Sequence, residues 1–302
     1  NFKGESEPEV HRYWDYSIQN GPVELSEEER VDKLYHLFVQ AVTSQLVSDV
    51  PVGAYLSGGM DSGSITSIAS HHLPRLRTFT GGFDMTSASG LELGFDERAN
   101  SEVLANLFKT EHYEMVMHAG DMEHVMPELI WHLEDLRVGQ CYPNYYVARL
   151  AGKFGKVVLS GAGGDELFGG YPWRYYRGLN SNDANEYYRN YYGFWQRLVP
   201  DEDKPDLFNP STHHQMNGHS TFDVFRDVFR QTSAPLDTKE DMINASLYFE
   251  LKTFLHGLLA LPALAECPRG DLDKRYCDVN GDLVADAPTD SSKWLDPDTL
   301  IF

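Results

Sequence analysis

Two glycine-rich strings hold the residues of this 302-residue chain that are best suited to chemistry. The first, Ser57-Gly58-Gly59-Met60-Asp61-Ser62, follows the short run Val52–Leu56 and precedes Ile65, Ile68 and Ala69 at helical spacing. Adjacent glycines let a backbone turn sharply and approach an anion closely. A helix starting just after them points its N-terminal N–H groups and positive dipole end at that anion. Ser57 and Ser62 add hydroxyl donors. No Lys stands here as in a Walker loop, so a bound phosphate needs a metal to offset its charge, and Asp61 can hold Mg2+. The second string runs Leu159-Ser160-Gly161-Ala162-Gly163-Gly164-Asp165-Glu166-Leu167-Phe168-Gly169-Gly170-Tyr171 and places Asp165 beyond another strand end. Asp61 and Asp165 could share a Mg2+ bound to a polyphosphate, and that metal would neutralise a departing pyrophosphate. A bare Gly-Gly turn is usually no more than a strand-to-helix connection. Two such turns, each followed by Asp, carry more.

The flanking pattern explains how these strings are held. Ser26 with Glu29 forms a capping box ahead of an amphipathic helix whose apolar face is Val31, Leu34, Leu37, Phe38, Ala41, Val42 and Leu46. Pro51 ends it. Strands are expected over Val52–Leu56, Thr78–Phe83, Tyr113–Met117 and Lys156–Leu159, and helices over Asp96–Phe108, 121–134 and 143–154. Strands alternating with helices of that length imply βαβ units, hence an α/β fold with a parallel twisted sheet flanked by helices. Ligands of such sheets bind beyond the carboxyl ends of the strands, where both glycine turns lie. Residues 1–25 read as a lead-in or linker. The aromatic stretch 171–199, from Tyr171 and Trp173 to Phe194 and Trp195, reads as helices packing against the sheet domain. Residues 200–240 are polar, and a further amphipathic helix is expected from about Lys239 to Leu259. No internal repeat is visible.

Composition narrows the function. Lys and Arg number 25 against 46 Asp and Glu, a formal net charge of −21. Such a surface repels phosphate backbones and anionic lipid, so nucleic acid and membrane partners are not expected. With 41% hydrophobic and 13% aromatic residues the chain is rich enough to build a core. No stretch approaches the roughly 20 apolar residues of a spanning helix. Three cysteines do not make a disulfide scaffold, and Cys141 reads as an ordinary thiol. A reducing, cytoplasmic setting is expected. The first residue is Asn1 rather than Met, as in a processed form or a fragment.

The first string is similar to the Ser-Gly-Gly-x-Asp-Ser pyrophosphate loop of N-type ATP pyrophosphatases. The second resembles the Leu-Ser-Gly-x-Gly-x-Asp-Glu-Leu-Phe-x-Gly-Tyr signature of the synthetase domain of glutamine-hydrolysing asparagine synthetases. Thr78 to Phe83, Phe95-Asp96-Glu97, His112 and Tyr248 to Leu255 fit as well, so the resemblance covers roughly residues 10–258. It implies an adenine nucleotide alpha hydrolase-like sheet with an added helical region, occupying 26–258. It also implies ATP with Mg2+, the adenine near Leu56, Phe83 and Gly161, with Ser160 alongside. Pyrophosphate would lie on Ser57, Gly58, Gly59 and Ser62, and the metal on Asp61 and Asp165. A substrate carboxylate, aspartate in the parent family, would attack the α-phosphorus to give an acyl-adenylate, and ammonia would then displace AMP to leave an amide. A homodimer is entertained as the assembly.

Three departures from that pattern stand out. The family's N-terminal glutaminase does not precede this sequence, so ammonia would have to come from elsewhere. Ala162 stands where typical members carry a Glu implicated in the acyl-adenylate and amide-forming steps, which points to another acyl acceptor. After Leu258 the family's substrate motif is replaced by Leu258 to Cys267, which looks like the end of a secretory signal. Residues Cys267 to Phe302 resemble the mature N-terminus of periplasmic phosphate- or phosphonate-binding proteins, as in a chimera of two gene fragments. In that tail Asp278-Val279-Asn280-Gly281-Asp282 with Asp286 reads as an acidic turn lacking the terminal Glu of a calcium loop, and Cys267 could pair with Cys277 in an oxidising compartment. Besides the ligase, a non-catalytic nucleotide-binding product is the second reading, and an anion-binding module built on the tail is a third.

Overall fold

Ser26 opens the first helix as its sequence predicts. Its backbone N–H donates to the Glu29 carboxylate at 2.8 Å while its hydroxyl accepts from the Glu29 N–H at 3.3 Å. The hydrogen bonds from Ser26 hold the Glu29 carboxyl below its ordinary range. Helix α1 then runs Glu27–Ser44. Only the C-terminal part of its apolar stripe is covered: Phe38, Val42 and Leu46 join a core, whereas Val31, Leu34 and Leu37 are exposed. The computed structural model describes residues 11–18, 24–87, 94–133, 141–196, 199–209, 211–212, 220–230 and 236–255. These fall into two units, one made of the described residues within 25–162, the other of those within 11–24 and 163–255. The expected tail features, from Leu258 through Cys267, Cys277 and the Asp278 turn, lie outside the described residues.

The first unit is built on four parallel strands, β1 (Val52–Tyr55), β2 (Arg77–Phe83), β3 (Glu111–Met117) and β4 (Val157–Leu159), in the order β3-β2-β1-β4. Ala54 is paired with Thr78 on one side and Leu159 on the other. Between the strands run α2 (Met60–His72), α3 (Arg98–Phe108), α4 (Asp121–Leu133) and α5 (Cys141–Ala151). The fold is therefore the α/β class the alternation predicts.

Boundaries differ in informative places. Leu56 lies just past β1, although its N–H still donates to the Phe79 carbonyl at 2.9 Å. Strand β3 begins two residues earlier than expected, which puts His112 inside it. Helix α3 begins at Arg98 rather than Asp96, because the Asp96 carboxylate is engaged by the Arg98 N–H and guanidinium at 3.1 and 2.6 Å. Helix α5 starts and ends earlier than 143–154, and its last carbonyls are taken up in a turn over 152–154.

Apolar side chains cover both faces of the sheet. Val42, Ala54, Ala69 and Leu76 form one cluster, and Phe83, Met117, Val125, Leu129, Tyr142, Tyr145 and Tyr146 another.

The second unit is helical: α6 (Gly164–Phe168), α7 (Pro172–Leu179), α8 (Ala184–Trp195), α9 (Lys204–Leu207), α10 (Thr221–Phe229) and α11 (Lys239–Glu250), closed by a π-helical turn at Leu251–Leu255. The turn interrupts the single helix expected over Lys239–Leu259. The aromatic stretch is partly buried, but within this unit: Tyr187, Tyr191 and Tyr192 of α8 pack with Phe225 and Phe229 of α10 and Phe249 of α11. Trp173 and Tyr176 stay exposed. Residues 11–18 are strapped to α11 and the π-turn, where Asp15 accepts from the Tyr248 hydroxyl at 3.0 Å and Lys252 at 3.1 Å.

Candidate functional site

Strand order fixes where a ligand can enter. The chain leaves β1 toward β2 but returns on the opposite flank as β4. A parallel sheet opens a crevice at such a reversal, beyond the carboxyl ends of its strands. The loop after β1 and the loop after β4 both start there.

The first loop is braced from within. The Ser57 N–H donates to the Ser62 hydroxyl at 3.0 Å, the two hydroxyls lie 2.9 Å apart, and the Gly59 N–H donates to the Ser57 hydroxyl at 3.1 Å. Ser62 is buried, so its hydroxyl shapes the loop as much as it could meet a phosphate. Gly59 is the N-cap of α2 and has no side chain to bond the first-turn N–H groups. Asp61 is the second residue of that helix and is half-buried. Asn100 of α3 packs directly over Gly58, where a Cβ would come within 2.4 Å of its side chain. Sequence reasoning missed Asn100, since a polar residue inside a helical pattern carries no local signal.

The start of the second string meets this loop. A Cβ on Gly161 would lie 2.7 Å from the Ser62 nitrogen and 3.1 Å from the Asp61 Cβ. The structure thus brings Asp61, Ser62 and Gly161 together. Ser160 braces its own turn, its hydroxyl accepting from the Ala162 N–H at 3.2 Å. Ala162 is exposed and offers only a methyl group.

At the neighbouring strand end, Asp96 and Arg98 clamp Phe83. The Phe83 N–H donates to Asp96 at 3.2 Å, and Arg98 donates to the Phe83 carbonyl at 2.7 Å. Hydrogen bonding to Arg98 holds the Asp96 carboxyl below its ordinary range. Arg98 was not legible as a site residue, although an Asp two residues before it just ahead of a helix is a usable signal. Leu56 and Phe83 are 1% and 7% exposed, so both side chains are committed to packing. Farther along the sheet, His112 lies 2.9 Å from the Thr78 hydroxyl through Nδ1. Burial lowers its pKa from the ordinary value.

The rest of the second string belongs to the helical unit. Asp165 is the second residue of α6, and its carboxylate folds back over Gly170: a Cβ there would meet Oδ1 at 1.8 Å. Only glycine fits under it. Burial and the neighbouring Glu166 and Asp165 carboxylates push the Tyr171 phenol well up. Glu166 is buried, and its Oε1 has no hydrogen-bond partner among the described residues. Behind the turn, buried Arg174 donates to Glu250 at 2.8 Å, and Tyr191 donates to the same carboxylate at 2.9 Å. Burial raises the Glu250 pKa, while Arg174 and Tyr191 oppose that rise.

Among the described residues no three His, Cys, Asp or Glu side chains gather into a metal-holding group. Mg2+ commonly takes one or two carboxylates and completes its shell with phosphate oxygens and water. Asp61 and Asp165 match that donor set in kind. Also among the described residues, no helix is long and apolar enough to cross a membrane.

A protein of Mycobacterium bovis, provisionally named a glutamine-hydrolyzing asparagine synthetase, is 36% identical over 166 residues, which is 54% of this chain and 24% of that protein. Glutamine-hydrolyzing asparagine synthetase 1 of Bacillus subtilis is 36% identical over 151 residues, 50% of this chain and 23% of its own length. A similar match, 33% identical over 167 residues, is to a protein of Methanocaldococcus jannaschii provisionally named a second such synthetase, covering 54% of this chain and 31% of that one. The chain thus spans about a quarter to a third of the length of these relatives. The profile of the asparagine synthase family matches residues 33–261, most of the sequence and both glycine turns, and the chain belongs to that family.

Proposed function

We propose that this chain carries the adenylating site of an ATP-dependent amide-forming ligase. The observation that carries this reading is the close approach of Gly161 to Ser62 and Asp61, which joins the two glycine turns at the reversal of the sheet. ATP would lie with its β- and γ-phosphates on Ser57, Gly58, Gly59 and Ser62 and its adenine toward Leu56, Phe83, Ser160 and Gly161. A substrate carboxylate would attack the α-phosphorus, forming a mixed anhydride with AMP and releasing pyrophosphate. Ammonia, free or from glutamine hydrolysis of the kind the relatives' names record, would then attack the acyl carbon and expel AMP. Mg2+, held by Asp61 and Asp165, would supply charge neutralisation at the departing pyrophosphate. The chain's own residues do the remainder by positioning: α2 presents its first-turn N–H groups, and the Ser57–Ser62 brace fixes the curvature of the loop.

The substrate carboxylate is aspartate in the simplest reading. Ala162 favours a second one, in which nucleotide binds without amide formation or another acyl group is accepted, because its methyl group can neither orient nor polarise an incoming amine. The test is ATP–pyrophosphate exchange with Mg2+, driven in turn by aspartate and by other carboxylates, followed by product analysis with ammonia. Asp61→Asn is expected to abolish exchange while the melting temperature holds. Absence of any nucleotide binding with Mg2+ would sink both readings. Binding without acyl-AMP or amide would select the second.

A further inference from the structure

Gly58 and Asn100 touch at the first loop, and each keeps a hydrogen-bond donor unspent. The loop's internal bonds use the Ser57 N–H, which donates to the Ser62 hydroxyl at 3.0 Å, and the Gly59 N–H, which donates to the Ser57 hydroxyl at 3.1 Å. The Gly58 N–H between them has no acceptor among the described residues. A Cβ on Gly58 would come 2.4 Å from the Asn100 Cβ and 3.1 Å from its Nδ2, so the carboxamide lies directly against the loop. Asn100 is exposed, and its carboxamide also has no hydrogen-bond partner among the described residues. Its place is set by the residues on either side. Asn100 is the third residue of α3. Arg98, two places before it, donates to the Phe83 carbonyl at 2.7 Å and so pins the start of α3 to the end of β2. Ser101, one place after it, is buried and donates to the Arg98 carbonyl at 2.9 Å. A helix start held in this way has little freedom to carry Asn100 off Gly58. Residues 57–62 include no Lys or Arg, so any anion seated there depends on neutral donors for its contacts from the loop. Hydrogen bonds with one charged partner are the stronger kind.

We propose that Asn100 is a phosphate-binding residue of the first loop, its carboxamide N–H donating alongside the Gly58 N–H to the phosphate oxygens that leave as pyrophosphate. This rests on the reading of that loop given under the proposed function. Steric support of Gly58 needs no more than an aliphatic side chain, whereas a hydrogen bond to phosphate needs the amide. Leu has nearly the shape of Asn and no donor, so Asn100→Leu separates the two roles.

Isothermal titration of the full chain with inorganic pyrophosphate and Mg2+, beside a titration with AMP, tests this. Asn100→Leu is expected to raise the pyrophosphate Kd about tenfold, the size of one lost hydrogen bond to a charged group. The AMP Kd and the melting temperature should stay where they are. Asn100→Asp keeps the shape and adds a negative charge, so it should weaken pyrophosphate binding further, again without loss of melting temperature. Unchanged pyrophosphate binding by Asn100→Leu, beside a wild type that does bind, overturns the proposal and leaves the ligase reading standing. Equal weakening of pyrophosphate and AMP, or a fall in melting temperature that accompanies the loss, shows steric support of the loop and overturns the proposal as well. A wild type that binds no pyrophosphate with Mg2+ overturns the proposal, and one that binds no ATP either overturns the ligase reading with it.

Discussion

Gly161 lies against the backbone of Ser62 so closely that its α-hydrogen occupies the space any side chain would need. Replacing it with Ala is expected to force the two turns apart, because the nearest atom is a backbone nitrogen that cannot swing aside. Overpacking of this kind costs about 1–3 kcal/mol. Urea unfolding should register that loss. Titration with ATP should show a larger one, since the loop and not the core is displaced. Ala162→Gly, one residue on and exposed, is the control that should change neither.

The buried pair of Arg174 and Glu250 answers to a different test. Glu250→Gln leaves the guanidinium buried without its counter-charge, at a cost of about 3–5 kcal/mol. Replacing both residues, Arg174→Met with Glu250→Leu, should cost less than that single change, because no charge is then stranded. A double variant as unstable as the sum of the singles would contradict this account.

His112 makes stability depend on pH. Burial lowers its pKa below the ordinary 6.5, with the charges of Glu114 and Glu102 opposing only in part. Below about pH 6.5 the unfolded chain therefore takes up a proton more readily than the folded one, and stability falls as pH drops. Melting temperatures measured from pH 7.5 to 5.5 should decline for the wild type and decline less for His112→Gln. The contribution is fully present above the unfolded value and is lost as pH falls through the folded one. Identical slopes for the two proteins would assign the trend to other groups.

Asp15 ties a segment of the second unit to its last helix. Asp15→Asn weakens a charge-assisted contact to Lys252 that is about four-fifths buried on both sides, and the loss should be about 1–2 kcal/mol. Hydrogen exchange should show it locally: amides of 11–18 and 248–252 should speed up while those of β1 and β2 stay protected.

Much of the first unit could be read from residue order. Capping residues, Pro51 and the short apolar run Val52–Leu56 act over short range, and the strands and helices they define are found in place. The positions of Asp61 on α2 and Asp165 on α6 follow from glycine placement alone. Other features depend on partners distant in the chain. Asn100 reaches Gly58 only because α3 packs beside α2, and Arg98 caps β2 only because Asp96 turns toward it. The exposed half of α1 shows the same limit: periodicity makes Val31, Leu34 and Leu37 one face with Phe38 and Val42, but it cannot say how far along that face a neighbour extends. The π-turn at Leu251–Leu255 breaks a pattern that is helical by every local measure.

The pairing of β1 with β4 also dictates an order of events. Val52 meets Val157 across about a hundred intervening residues, while β1 meets β2 across about two dozen. Closing the longer loop costs more entropy and gains little until the strands between are in place. During synthesis the chain must emerge past Leu159 before Gly161 can reach Ser62, so the crevice between the two glycine turns is the last part of its unit to exist. A nascent chain that ends before β4 has β1 and β2 but lacks the second wall of that crevice.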